Sequence, residues 1–206
     1  MRTVYPVGTT LYKPDECCNG YTILWRGKKV KLIDMNGRTV NEWLMNEKDD
    51  GGENQPHVDR ARLLENGNVL VQRGGMMSED GLLQEYDWEH NLVWEYIPEG
   101  KIPHKRLLGP HHDVYRKPDG NTLTICRETV PDEYMSRIRE PRWQGRTIYG
   151  DAIIEVNSNS DVVWEWHAYE HLDLNHYRIL ASPEWHGGAY NSTICDGTQI
   201  QFSVLG

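Results

Sequence analysis

Along most of the chain, apolar and polar residues alternate in short runs, and each run stops at a polar turn that usually holds glycine or asparagine. A period of two marks a strand with one buried face, and two such runs joined by a short turn predict a hairpin. Three stretches follow this plan and share a tryptophan: "LIDMNGRTVNEW" ending at Trp43, "LQEYDWEHNLVWEY" with Trp94, and "IIEVNSNSDVVWEW" with Trp164. A second hairpin unit follows each: "HVDRARLLENGNVLVQR" from His57, "HHDVYRKPDGNTLTICRE" from His111 and "WHGGAYNSTICDGTQIQFSV" from Trp185. The three repeated tryptophans are expected to be core residues.

Two hairpins make four strands, and the matching tryptophans are 51 and then 70 positions apart. About fifty residues per four-stranded unit is the period of a β-propeller blade. The pattern therefore predicts an all-β fold of β-propeller blades, each of four antiparallel strands, forming one partial domain over residues 1–206. The longer period holds a segment without alternation, Glu128 to Arg146, whose Pro131 and Pro141 bracket a short helix; it reads as a loop inserted between blade strands, residues 128–146. Propellers close with four to eight blades. About three are expected here, an incomplete ring, and the apolar ending "TQIQFSVLG" leads us to expect further sequence beyond residue 206.

Composition narrows the function. Eight Trp and eleven Tyr against one Phe put a polar tip on most of the large side chains, which suits half-exposed sheets and polar channels. A formal charge of −9 argues against nucleic acid, and the basic run "RGKKVK", Arg26 to Lys31, reads as a solvated hairpin turn. No apolar run approaches the ~20 residues that span a bilayer, and no signal-peptide core follows Met1, so neither a membrane partner nor export is expected from the chain as written, which reads as cytoplasmic. Cys17, Cys18, Cys126 and Cys195 lack CxxC spacing and read as small buried or loop thiols. Neither a Rossmann fingerprint nor a phosphate-cradling GxxxxGK[ST] loop occurs, and no cofactor is expected.

The chemistry gathers around histidines. Aligning the turns Gly67-Asn68, Gly120-Asn121 and Gly197-Thr198 puts Asp59, His112 and Ala189 in register, and likewise Ala61, Val114 and Asn191. Residues two apart on a strand share a face. His112 and Asn191 are thus expected to face one channel, with His57, His111 and His186 near its mouth. Taken alone, His112 reads equally as a channel donor or as a structural histidine bonded within its turn, whereas His111 reads as structural. "HAYEH" offers a rival, since His167 and His171 at i and i+4 would ligate zinc on a helix.

"YPVGTTLYKPDECCNGYTIL", "VKLIDMNGRTVNEW", "HHDVYRKPDGNTL" and "GDAIIEVNSNSDVVWEWHAYEHLD", in this order, resemble the bacterial arylsulfotransferase family over most of residues 5 to 173. The resemblance implies six blades, a site at the central channel, and transfer of a sulfuryl group from an aryl sulfate donor to a phenolic acceptor through a sulfated histidine. By the family pattern His112 is the channel donor and acid/base group, Asn191 an amide donor, and His186 a third candidate. The third unit departs from the family's Asp-Trp-Thr-His-x-Asn-Ser: this chain reads Glu184-Trp185-His186-Gly187-Gly188-Ala189-Tyr190-Asn191-Ser192, with its histidine displaced. The sulfuryl-carrying histidine of such enzymes is expected beyond residue 206, so the isolated chain is expected to need more sequence, or a second copy completing the ring as a homo-oligomer. Exported relatives allow a periplasmic or extracellular site. A non-catalytic propeller module for binding or assembly is the alternative reading.

Overall fold

In the computed structural model, the structure describes residues 9–45, 57–74, 81–98, 107–139, 141, 148–172 and 174–175. Among these residues the fold is all-β, with eleven strands in three antiparallel sheets. Sheet 1 contains β1 (Thr22–Arg26), β2 (Lys29–Ile33) and β3 (Thr39–Leu44). Sheet 2 contains β4 (Val58–Leu63), β5 (Val69–Arg73), β6 (Leu82–Tyr86) and β7 (Leu92–Tyr96). Sheet 3 contains β8 (Leu107–Arg116), β9 (Thr122–Thr129), β10 (Tyr149–Val156) and β11 (Val162–His167). Strands follow one another in space as in sequence, so each four-stranded sheet is one of the predicted "second" units followed by a tryptophan hairpin. The helical pieces are α1 (Asp132–Met135), α2 (Ala168–His171) and a 3-10 turn at Pro14–Glu16. No helix among the described residues is long and apolar enough to cross a membrane.

Five hairpins share one turn. Gly37, Gly67, His90, Gly120 and Ser160 each adopt positive φ, and each donates its N–H to the carbonyl three residues earlier. This is a tight turn followed by a left-handed residue, a conformation glycine takes without steric cost. Side-chain oxygens clamp it: Asp34 accepts from the amides of Asn36 and Arg38, Asp87 from Asn91, Asp119 from Asn121, and Asn157 from Asn159 and Asp161. At the two positions without glycine, the side chain reaches the preceding sheet. His90 Nε2 lies 2.8 Å from Asn41 Oδ1, and Ser160 Oγ donates to the Glu95 carbonyl at 2.5 Å. "RGKKVK" is the predicted turn, Gly27-Lys28 joining β1 to β2.

The sheets stack face to face, and β5 shows why it is buried along its whole length. Val69 and Val71 point into a core shared with sheet 1 that contains Val30, Leu32, Trp43 and Tyr86. Leu70, on the other face, joins Leu83, Tyr96, Val114, Cys126, Ala152 and Ile154 between sheets 2 and 3. In β9 burial alternates without a break, with Thr122, Thr124, Cys126 and Glu128 inward. The sheets approach closely at Gly81, where a Cβ would stand 2.7 Å from Gly109 Cα and 2.9 Å from the Pro110 carbonyl oxygen. Only glycine lets β6 begin this close to β8.

The tryptophan expectation needs one correction. Trp43 is fully buried and Trp94 half-buried, but Trp164 is 48% exposed. Sheets 2 and 3 cover the first two, whereas no further described sheet lies on Trp164. Glu128 and Thr129, read as the start of an insertion, belong to β9; between β9 and β10 lies α1, with Pro131 at its N-cap. Its Tyr134 and Met135 pack on a small cluster of Val130, Ile138, Ile148 and Tyr169.

Candidate active site

β4 and β8, the first strands of sheets 2 and 3, contact each other directly. Both are interrupted by bulges. In β4 the register shifts between Val58 and Arg60, leaving Asp59 outside the ladder; in β8 it shifts between His111 and Val114, leaving out His112 and Asp113. A bulge turns a strand locally and re-aims its side chains. His112 accordingly adopts φ +64° and is exposed, whereas Val114, two residues on, is 1% exposed and in the core. The rule that residues two apart share a face fails here because the bulge lies between them. In the two described units the aligned residues are alike: Asp59 and His112 are both bulge residues in contact, and Ala61 and Val114 are both buried, while Ala189 and Asn191 lie outside the described residues.

The surroundings of His112 are polar and built from both sheets. Its backbone N–H points at Asp59 Oδ2, a long contact of 3.4 Å, and its carbonyl accepts from Arg60 Nε at 3.0 Å. Asp113 receives both hydrogen bonds of the Arg62 Nη2 group, each 2.9 Å, and lies 3.5 Å from Arg60. The His112 ring meets that of His111 edge-on, with centroids 4.9 Å apart. His111 is 2% exposed and its Nε2 lies 3.1 Å from Asp151 Oδ1 on β10; its Nδ1 is buried without a hydrogen-bond partner. Thus His111 is a buried, carboxylate-anchored support, and His112 presents the accessible imidazole. That imidazole can exchange a proton with a ligand, and Arg60 and Arg62, which pair with Asp113 beside the His112 backbone, bring guanidinium groups to the same strand junction. Asn191 and His186 lie outside the described residues.

A second cluster escaped the sequence. His167 and Glu128, 1% and 0% exposed at their side chains, meet at 2.6 Å through Nδ1 and Oε2, across a stretch of β10 occupied by Gly150 and Ala152. Glu165 Oε2 is 3.2 Å from Nε2 of the same ring, and Tyr169 stacks on it at 5.3 Å. Burial pushes the Tyr169 phenol well above its ordinary range, with the Glu128 charge adding to the effect. No local signal pointed to it: in β9 the apolar Leu123 and Ile125 lie on the less buried face, and Glu128 shares the inward face with Thr122, Thr124 and Cys126, where a buried carboxylate requires a partner. The zinc alternative does not assemble, because His167 ends β11 facing inward while exposed His171 stacks flat on Trp166 at 4.9 Å. Among the described residues, no group of three or more His, Cys, Asp or Glu side chains is arranged to hold a metal ion. Of the cysteines, Cys17 and Cys18 are exposed, and Cys126 is buried, which drives its thiol pKa far up.

The arrangement defines an all-β protein whose accessible histidine and arginines sit where the first strands of adjacent sheets meet. Its family follows from sequence comparison: the family model described as Arylsulfotransferase (ASST) matches residues 19–199, and the chain belongs to that family. No curated protein matches it.

Proposed function

We propose that the protein transfers a sulfuryl group from an aryl sulfate to a phenol, at a site on the first strands of successive propeller blades. The observation that carries this reading is the exposed imidazole of His112 on β8, at the junction where Arg60 of β4 binds the His112 carbonyl and Arg60 and Arg62 pair with Asp113, in a chain of the arylsulfotransferase family. The contact between β4 and β8, together with stacking of the sheets in chain order, supports a shared axis and a single propeller-type unit.

In this reaction an imidazole nitrogen attacks sulfur as the S–O bond to the aryl group breaks, and the departing phenolate takes a proton from an acid. The acceptor phenol then loses its proton to a base and attacks sulfur, releasing the imidazole. His112 is the group that gives and takes these protons; the sulfated histidine is a separate residue. Arginine donors, the Asn191 amide and the His186 imidazole stabilise charge on the sulfuryl oxygens.

The test is incubation with 4-nitrophenyl sulfate and a phenol. Nitrophenol release that depends on the acceptor is expected, and His112→Gln should lower kcat about a hundredfold or more. No release from a protein that also carries the sulfated histidine would overturn the reading in favour of a binding module.

A further inference from the structure

We propose that Arg60, assisted by Asp59, is a positioning residue that holds His112 from the neighbouring sheet. The inference rests on the reading of His112 as the acid/base group. Because the bulge withdraws His112 from the β8–β9 ladder, its N–H and C=O are not held by the adjacent strand as those of a regular ladder residue are. Both groups instead point to β4, the carbonyl to Arg60 Nε at 3.0 Å and the amide to Asp59 at 3.4 Å. The backbone there is in the left-handed region, which a histidine keeps only when its surroundings enforce it.

Arg60 is placed to enforce it. Its guanidinium lies 3.5 Å from Asp113 Oδ1, the residue after His112, and 5.7 Å from the centroid of Trp25 on β1. One side chain therefore touches all three sheets. Asp113 is fixed further by Arg62, and the His112 ring rests on His111, which Asp151 anchors. The direction of the His112 imidazole is thus set across the boundary between sheets 2 and 3, and the planar Nε–H of arginine, not merely a positive charge, is what the carbonyl requires. An ordinary exposed ion pair would have no such consequence.

The test compares Arg60→Met, Arg60→Lys and Asp59→Asn with the wild-type protein, using Lys31→Met, which breaks an exposed ion pair with Glu42 on sheet 1, as the control. The Met and Lys variants at position 60 are both expected to lower kcat on 4-nitrophenyl sulfate by about tenfold to a hundredfold, with KM within about twofold. Their Tm should stay close to wild type, and the NMR signals of the His112 ring and amide should shift. Asp59→Asn should accelerate hydrogen exchange at the His112 amide. Full activity in Arg60→Lys, or unchanged His112 signals in Arg60→Met, overturns the proposal. A wild-type protein that transfers no sulfuryl group overturns the reading of function alone, and the NMR comparison still decides whether Arg60 holds His112.

Discussion

Trp43 and Trp94 hold matching places in sheets 1 and 2, yet the next sheet covers them with different chemistry. Over Trp43, sheet 2 lays the β6–β7 turn: Trp88 packs edge-on at 5.8 Å, the Asp87 carbonyl accepts the indole N–H at 2.7 Å, and His90 binds Asn41. Over Trp94, sheet 3 lays the Arg116 guanidinium, 4.8 Å from the ring centroid and itself bonded to Glu85 at 2.5 Å; the indole N–H is buried with no hydrogen-bond partner. Asn68 completes the arrangement by donating to the other Glu85 oxygen at 2.6 Å. The junctions show that the repeat specifies where a large aromatic goes, while the covering group is free to be aromatic or charged. The aromatic junction satisfies every polar atom of its tryptophan; the charged one does not.

The largest test of this contrast removes the tryptophans in turn. Trp43→Ala should cost about 3–5 kcal/mol in denaturant unfolding, whereas Trp164→Ala, half exposed, should cost less than about 1 kcal/mol. Equal losses would mean that coverage by the following sheet is not what these residues depend on. Next in size, Gly81→Ala should destabilise by about 1–3 kcal/mol, since backbone atoms of β8 must move to admit the methyl group. Smaller again, Trp43→Phe should cost about 1 kcal/mol more than Trp94→Phe, because only the former loses a satisfied indole N–H, leaving the Asp87 carbonyl with the His90 amide alone. A reversed order would break the comparison.

The smallest effect is a pH dependence at the β8–β9 turn. Lys117 Nζ lies 2.8 Å from both Asp119 and Glu155, and these bonds hold both carboxyls below their ordinary range and Lys117 above its own. Carboxylates with lowered folded pKa stabilise above their unfolded value and lose that contribution as pH falls through the folded one; a raised lysine loses its contribution only as pH climbs past its folded value. The contribution should therefore be level from about pH 5 to 10 and fade below about pH 4. Tm followed against pH should show a shallower acid decline in Lys117→Met.

Hairpins were legible because period-two runs and Asn/Gly turns are local signals, and the short helix was legible from its flanking prolines, whereas Glu128 and Thr129 read as loop and are strand. The cross-sheet contacts were not. A bulge adds a residue without any local signature, so the parity that placed His112 and Val114 on one face could not be corrected from "HHDVYR". Glu128 and His167 are brought together by the register of three strands, and neither neighbourhood names the other. Trp164 was misjudged for a related reason: its hairpin reads like the other two, and only the neighbouring sheet decides exposure. For the candidate site, the sequence pointed to His112 and to its alignment with Asp59, but Arg60 looked like any polar residue of a half-exposed strand.

Gly81 carries a consequence at the level of inheritance. Every missense change of a single base in a glycine codon that yields another amino acid supplies a Cβ, so no such variant at this position leaves the crossing with β8 undisturbed. Because Gly109 and Pro110 lead directly into His111 and His112, a mutation nearly thirty residues upstream in the gene would register first as misalignment of the imidazoles.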